Sequence, residues 1–132
     1  MTKQFNTAQE ACDYSVKQIV AQGGRCQEDD DNCLYGDGHG NHCAIGWLLD
    51  PDNKGLMSYV GSIYAVTPSY PDEVQAIIKD NLNIFAELQR FHDEPESQRR
   101  EILRNVLRVA HNIDTSAPHW QQWVDMGAEE VV

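Results

Sequence analysis

The sequence predicts a single, mostly helical domain, α or borderline α+β, with five to six helices and one small two-stranded β-hairpin. Its 132 residues correspond to one domain, since domains typically hold about 100–200 residues. Apolar residues recur at helical spacing along most of the chain, and one glycine-rich turn between two short extended segments interrupts that pattern. The globular part is expected over residues 1–126, followed by a frayed tail over residues 127–132.

The first helix is predicted over residues 8–22. Thr7 and Glu10 fit a capping box at its start, and a glycine pair after residue 22 offers a left-handed stop. Cys12 lies on the apolar stripe of this helix, which predicts a small buried side chain. The acidic run 28–31 that follows predicts a solvated loop, because its like charges repel one another and it lacks the ligand order of a calcium loop.

A hairpin is predicted next, with arms over residues 33–35 and 41–43. A short helix over residues 44–49 should follow and end near Asp50, because the residue before a proline resists the helical conformation. Cys43 then lies near a helix start, where exposed amides and the helix dipole favour a thiolate. This segment is expected to pack against residues 88–92, with three large side chains in the core: Trp47, Leu48 and Phe91.

Helices continue through the C-terminal half. Ser97 is expected to cap the clearest of them, and Pro118 to open the last one. Trp120 and Trp123 share one face of that last helix, which is either docked on the core, as the sequence favours, or displayed to a partner. The other predicted segments are a helical piece over residues 56–64, a turn over 68–71, a short helix that begins at Asp72 and an amphipathic helix over 82–91. The arginines that follow Ser97 are expected on a solvated face, with a phosphate-binding patch as the alternative: Arg99, Arg100, Arg104 and Arg108.

The chain is strongly acidic, with 21 Asp and Glu against 10 Lys and Arg, a net charge of −11 and a pI near 4.6. Direct nucleic-acid binding is not expected, because it requires a basic stripe. No apolar run is long enough to cross a membrane, and the first residues lack the pattern of a signal peptide. We therefore expect a cytoplasmic protein with reduced cysteines and no membrane contact. The oligomeric state is left open.

A zinc site is one hypothesis for the middle segment. The sulfur and nitrogen donors within 18 positions are Cys26, Cys33, His39, His42 and Cys43, and four such ligands suffice for tetrahedral zinc. The spacing argues against it, because six residues separate Cys26 from Cys33 and neighbouring residues of a strand point to opposite faces. The sequence favours Cys33 and Cys43 as packed structural thiols without a cofactor, and zinc is the alternative.

A Cys-His hydrolase is a second hypothesis. Cys43 would be the nucleophile, His92 the base, and Asp93 or Asp50 the orienting group. Adjacent residues of a helix diverge by about 100°, so Asp93 is not expected to contact the ring of His92. The His-Asp pair also matches part of a His-Asp phosphohydrolase set, but residues 44–91 contain no histidine to complete it. The sequence therefore favours a protein that is not an enzyme.

Three motifs occur in order along the chain. They are Cys33-x-Tyr35-Gly36, His42-Cys43-Ala44-Ile45-Gly46-x-Leu48-Leu49-Asp50 and Leu88-Gln89-x-x-His92-Asp93, followed by the apolar stretch 103–110. In this combination the chain resembles, over residues 7–113, a group of short uncharacterised proteins encoded by tailed bacteriophages and prophages. The resemblance implies the cytoplasm of an infected bacterium as the setting, and it implies no reaction. Cys26, His39 and the acidic run 28–31 are additions to that pattern.

Binding is the leading functional hypothesis. A small acidic domain suits a host or phage protein with a basic surface, because opposite charges accelerate encounter and a few aromatic anchors supply affinity. The expected role is therefore that of a phage accessory protein. The alternatives are the Cys-His enzyme and a zinc-stabilised regulator.

Overall fold

The computed structural model describes residues 4–24, 35, 42–50, 52–58 and 62–126. These residues confirm a mostly helical fold and hold seven α-helices, more than the five to six predicted. A 3₁₀ turn, Gly46–Leu48, lies between the first and second helices. The helices in chain order are α1 (Ala8–Gln22), α2 (Lys54–Met57), α3 (Ile63–Ser69), α4 (Ala76–Lys79), α5 (Leu82–Asp93), α6 (Ser97–Ala110) and α7 (Pro118–Asp125).

Helix α1 has the predicted bounds because both of its ends carry local signals. The hydroxyl of Thr7 accepts a hydrogen bond from the Glu10 amide at 3.0 Å, which satisfies one of the unpaired amides of the first turn. Gly23 ends the helix at φ 94°, a left-handed conformation that glycine adopts without steric cost. Cys12 is fully buried on the apolar stripe, as predicted.

The predicted hairpin is not seen, since the described residues contain no strand. Half of its arm residues, 33, 34 and 41, and all of the turn between the arms lie outside those residues. The helix predicted over 44–49 is a shorter 3₁₀ turn, which ends where Leu49 becomes extended at φ −117° and ψ 169°. Leu48 and Phe91 are fully buried as expected, whereas Trp47 is half-buried.

The chain between residues 52 and 80 departs most from the prediction. Two helices, α2 and α3, replace the single piece expected over 56–64, and Pro68 lies inside α3 where a turn was expected. Because proline lacks an amide proton, it weakens the helix there, and α3 ends one residue later. Helix α4 begins at Ala76 rather than at Asp72, since a turn occupies residues 71–74.

The core lies where α1, α5, α6 and α7 pack together. Helix α7 contacts α1 and α6, and α5 contacts α6. Trp120 and Trp123 are both buried, so their shared face is docked on the core. The indole of Trp120 donates to Asp13 at 2.7 Å, and that of Trp123 donates to the carbonyl of Phe91 at 3.0 Å. These bonds join α7 to α1 and to the end of α5.

Two details of α6 differ from expectation. Its N-cap is Glu96, without a side-chain cap bond, and Ser97 is the first helical residue. Arg100 is only 5% exposed, so it does not lie on a solvated face. Among the residues described, none of the helices combines the length and apolar character needed to cross a lipid bilayer.

Candidate functional site

Two side chains of α1 hold the segment that precedes the 3₁₀ turn. Ser15 is fully buried and its hydroxyl donates to the carbonyl of Ala44 at 2.7 Å. The amide oxygen of Gln22 accepts from the His42 amide at 3.0 Å and from the Trp47 indole at 2.9 Å, and its NH₂ donates to the His42 carbonyl at 2.8 Å. Helix α1 thus satisfies polar groups of His42, Ala44 and Trp47 in this buried segment.

Gln89 of α5 connects the same segment to His92 and Asp93. Its carbonyl oxygen accepts from the amide of Ile45 at 3.3 Å, which confirms that the middle segment packs near residues 88–92. Its NH₂ group donates to both carboxylate oxygens of Asp93, at 3.1 and 3.3 Å. One glutamine therefore orients the carboxylate and anchors the middle segment.

The neighbours His92 and Asp93 form a pair, so the expectation that they cannot contact each other is wrong. Nδ1 of His92 lies 2.8 Å from Oδ1 of Asp93. Because an ionised carboxylate only accepts hydrogen bonds, Nδ1 carries the proton in this pair. The divergence of about 100° between helical neighbours describes their Cβ directions, and side-chain torsions close the remaining gap. His92 is buried, whereas Asp93 is partly exposed.

Trp123 lies against the imidazole of His92. The two rings are stacked with centroids 6.1 Å apart and planes 16° apart. The guanidinium carbon of Arg100 is 4.0 Å from the centroid of the Trp123 ring, a distance at which a cation is attracted to the π face. The His-Asp pair is therefore supported by a packed aromatic and cationic layer.

Arg100 is a buried cation held by backbone carbonyl groups. It donates to the carbonyls of Glu94 at 2.7 Å and Pro95 at 3.4 Å, in the turn between α5 and α6. It also donates to the carbonyls of Trp123, at 3.0 Å, and Met126, at the end of α7. The negative end of the α7 dipole suits this position. The solvated face predicted for Arg100 is wrong because the side chain closes the junction of three helices.

Cys43 is fully buried beside the 3₁₀ turn. Its sulfur accepts a hydrogen bond from the amide of Gly46 at 3.3 Å, while Nδ1 of His92 is engaged by Asp93. Asp50, the alternative orienting group, accepts from the amide of Asp52 at 3.0 Å. The predicted base His92 and the predicted orienting group Asp93 thus contact each other, whereas the sulfur of the predicted nucleophile Cys43 is engaged by Gly46. The Cys-His hypothesis stays a prediction.

The zinc hypothesis also stays a prediction, since Cys26 and Cys33 lie outside the described residues. Nδ1 of His42 lies 3.0 Å from the carbonyl oxygen of Tyr35, and its ring packs edge-on against Trp47 with centroids 4.6 Å apart. Within the ranges described, no group of three or more His, Cys, Asp or Glu side chains is placed to hold a metal ion.

An open cleft of about 480 Å³ lies beside Asp93, between α5 and α6. Two arginines and two acidic residues line it together with two apolar side chains, so its charges balance. The arginines have partners nearby: Arg90 binds Glu87 at 3.1 Å, and Arg99 binds Glu96 at 3.3 Å. The lining residues are Arg90, Asp93, Glu94, Arg99, Ile102 and Leu103.

Helix α6 also presents an apolar strip to solvent, formed by Ile102, Val106 and Val109. Ile102 is 61% exposed and Val109 is 72% exposed, with the half-buried Val106 between them. Tyr64 is the remaining exposed large hydrophobic residue of the described part of the chain. It lines a second cleft, of about 600 Å³, together with Ala110 at the end of α6. The α6 strip thus runs between two open clefts.

Two groups outside this region, Cys12 and Asp114, have pKa values that are shifted by burial and by hydrogen bonding, respectively. Burial, reinforced by the nearby Asp13 carboxylate, raises the pKa of the Cys12 thiol far above its ordinary value. Hydrogen bonds from the hydroxyl and amide of Ser116 lower the pKa of the Asp114 carboxyl. Cys12 is therefore a protonated core thiol rather than a candidate nucleophile.

Sequence reasoning missed the roles of Gln22, Gln89 and Arg100. Gln89 belongs to one of the three motifs, but that motif alone assigns it no partner. Arg100 precedes Leu103 by three residues and Leu107 by seven, and this spacing places it on the buried side of the helix. For Gln22, at the end of α1, no sequence signal distinguishes it from an exposed glutamine.

The chain matches no protein-family model, no curated protein sequence and no solved structure at a significant level. The resemblance to short phage proteins therefore remains a proposal.

Proposed function

We propose that the protein is a phage accessory protein that acts in the host cytoplasm by binding a host or phage protein with a basic surface. The observation that carries this proposal is the uneven distribution of charge. Helix α6 holds four of the ten Lys and Arg residues of the chain and only one of its 21 Asp and Glu residues. The rest of the chain therefore carries many acidic side chains and few cations.

Several of those acidic side chains are exposed. They lie in turns, in the loop before α7 or at helix ends, and include Asp52, Asp72, Asp80, Asp114 and Asp125. A surface of one sign raises the rate of encounter with an oppositely charged partner, and it makes binding sensitive to ionic strength. The resemblance to phage proteins supports the setting, and the charge distribution supports the class of partner.

Binding fits the contacts of the candidate site better than catalysis does. The sulfur of Cys43 is buried and engaged by Gly46, and His92 is buried against Trp123. These contacts stabilise the junction between the middle segment, α5 and α7. A binding role requires none of these groups to react.

The proposal is tested by capture on the immobilised protein. Bacterial lysate is applied at about 50 mM salt and eluted at about 0.5 M, since screening weakens surface charge interactions over this range. A retained basic protein, released by salt, is the expected result. Neutralising Asp72→Asn and Asp80→Asn together should reduce retention, while the matched control with Asp72→Glu and Asp80→Glu should not. Retention that depends on neither salt nor charge would contradict the proposal.

A further inference from the structure

The α6 strip has the spacing of a helix-pairing seam. Ile102, Val106 and Val109 are separated by four and three residues, the repeat that places side chains along one line facing a second helix. Two of the three are well exposed. Contiguous exposed apolar residues of this kind mark interaction surfaces more often than scattered ones do.

On α6 itself, the positions beside this strip carry no acidic side chain, and in the adjoining cleft Asp93 and Glu94 are balanced by Arg90 and Arg99. In a paired helix they would be Gln98, Leu103, Asn105 and Ala110, all uncharged. The only charged residue in line with the strip is Arg99, one turn before Ile102. In a chain with 21 acidic residues, this absence identifies a surface on which like-charge repulsion is small.

We propose that the α6 strip binds a second copy of this chain, with the two α6 helices antiparallel around a two-fold axis. Two chains of charge −11 repel each other at long range, so association is expected through a face whose local charge is low. The α6 strip has uncharged flanking positions on its own helix, and the two acidic residues of the adjoining cleft are balanced by two arginines. The antiparallel arrangement places Ile102 against Val109 of the second copy, in the self-complementary manner of a two-fold interface. Val106 then lies near the axis.

The position of Arg99 favours this orientation over a parallel one. In the antiparallel pair, Arg99 lies near the C-terminal end of the second α6, where the helix dipole is negative. A parallel pair would instead bring the two Arg99 side chains together. The clefts at either end of the strip, lined by Leu103 and by Tyr64 respectively, allow the contact to extend beyond the helix itself.

The dimer is expected to be weak and reversible. Helix α6 has 14 residues and is therefore about 21 Å long, so the pairing buries less than the roughly 800 Å² per partner of a standard interface. A Kd on the order of 10–100 µM is expected for a contact of this size. The inference does not depend on the proposed function, because the α6 strip contains none of the exposed acidic side chains assigned to the basic partner.

Sedimentation equilibrium of the full chain tests the inference. The weight-average mass should rise from 15.0 kDa towards twice that value as the concentration increases. Raising the salt should strengthen the dimer, because screening reduces repulsion between the acidic chains. This salt dependence is opposite in sign to that of a basic partner, so the two proposals can fail separately.

Three variants define the surface and the orientation. Val109→Glu should raise the Kd at least ten-fold, whereas Ala21→Glu, which adds the same charge at an exposed position of α1, should leave it within about three-fold. The double variant Ile102→Lys with Val109→Glu should restore association, because only the antiparallel pair places Lys against Glu. A chain that stays monomeric near millimolar concentration, or a dimer insensitive to Val109→Glu, overturns the proposal. A double variant that remains monomeric overturns the antiparallel orientation.

Discussion

Replacing Arg100 with methionine should remove a large part of the stability of the fold. Its guanidinium donates to four backbone carbonyls, those of Glu94, Pro95, Trp123 and Met126. Hydrogen bonds from a charged donor contribute about 1.5–3 kcal/mol each, but burying the cation costs hydration, so the net effect is smaller than their sum. Breaking a buried charged network typically costs about 3–5 kcal/mol. The whole free energy of unfolding of a domain is only about 5–15 kcal/mol.

Urea unfolding monitored by tryptophan fluorescence measures this loss. For Arg100→Met the midpoint should fall by about 2 M with little change in the denaturant slope. Arg100→Lys should recover only part of the loss, because a single ammonium cannot reproduce the fork of a guanidinium. Arg108→Met, on the exposed side of the same helix, should stay within about 0.5 kcal/mol of the wild type. A loss below about 1 kcal/mol for Arg100→Met would refute the structural role assigned to this residue.

Three further predictions concern Gly46, Cys12 and Asp114. Gly46→Ala should lower the free energy of unfolding by at least about 2 kcal/mol, because a Cβ would lie 1.9 Å from the carbonyl oxygen of Tyr35; a thermal melt like that of the wild type would contradict this close approach. Because the pKa of Cys12 is raised in the folded state, its thiol contributes stability that is complete below about pH 9 and is lost as the pH rises further. Between pH 8 and 10, the free energy of unfolding of the wild type, measured in urea, should therefore fall by about 1 kcal/mol more than that of Cys12→Ala. The lowered pKa of Asp114 implies a contribution to stability that is present above the ordinary pKa of the carboxyl and is lost on acidification. Ser116→Ala should raise the pKa of Asp114 in an NMR titration, and an unchanged titration curve would exclude the Ser116 hydroxyl as the cause of the shift.

The parts of the fold that were predictable have signals within a few residues of each other. Thr7 and Gly23 fix the ends of α1, and Pro118 fixes the start of α7 because its missing amide proton is not needed in a first turn. The buried face of α7 follows from the spacing of Trp120 and Trp123. In each case the local preference and the tertiary packing favour the same conformation, so a pattern in the sequence is sufficient.

The region from α2 to α4 was less predictable because its helices are short. A helix of four residues, such as α2, has little stability of its own, and the burial of Leu56 and Ile63 against the rest of the core maintains these elements. The candidate site has the same limitation. Gln89 contacts Ile45 across 44 residues of sequence, and no local pattern specifies such a partner.

Net charge alone predicts the class of partner but not the surface that it uses. A charge of −11 favours a basic partner for the whole molecule, yet α6 carries a local excess of arginine beside an uncharged apolar strip. Attraction between opposite charges decreases as salt is added, whereas contact between two acidic chains through an apolar strip becomes stronger. The two proposed binding events therefore differ in the sign of their salt dependence, and we expect them to use different surfaces. Val109→Glu alters the α6 strip and leaves the acidic turns intact. Measuring the salt dependence of self-association and of partner retention on this variant therefore separates the two surfaces in one protein.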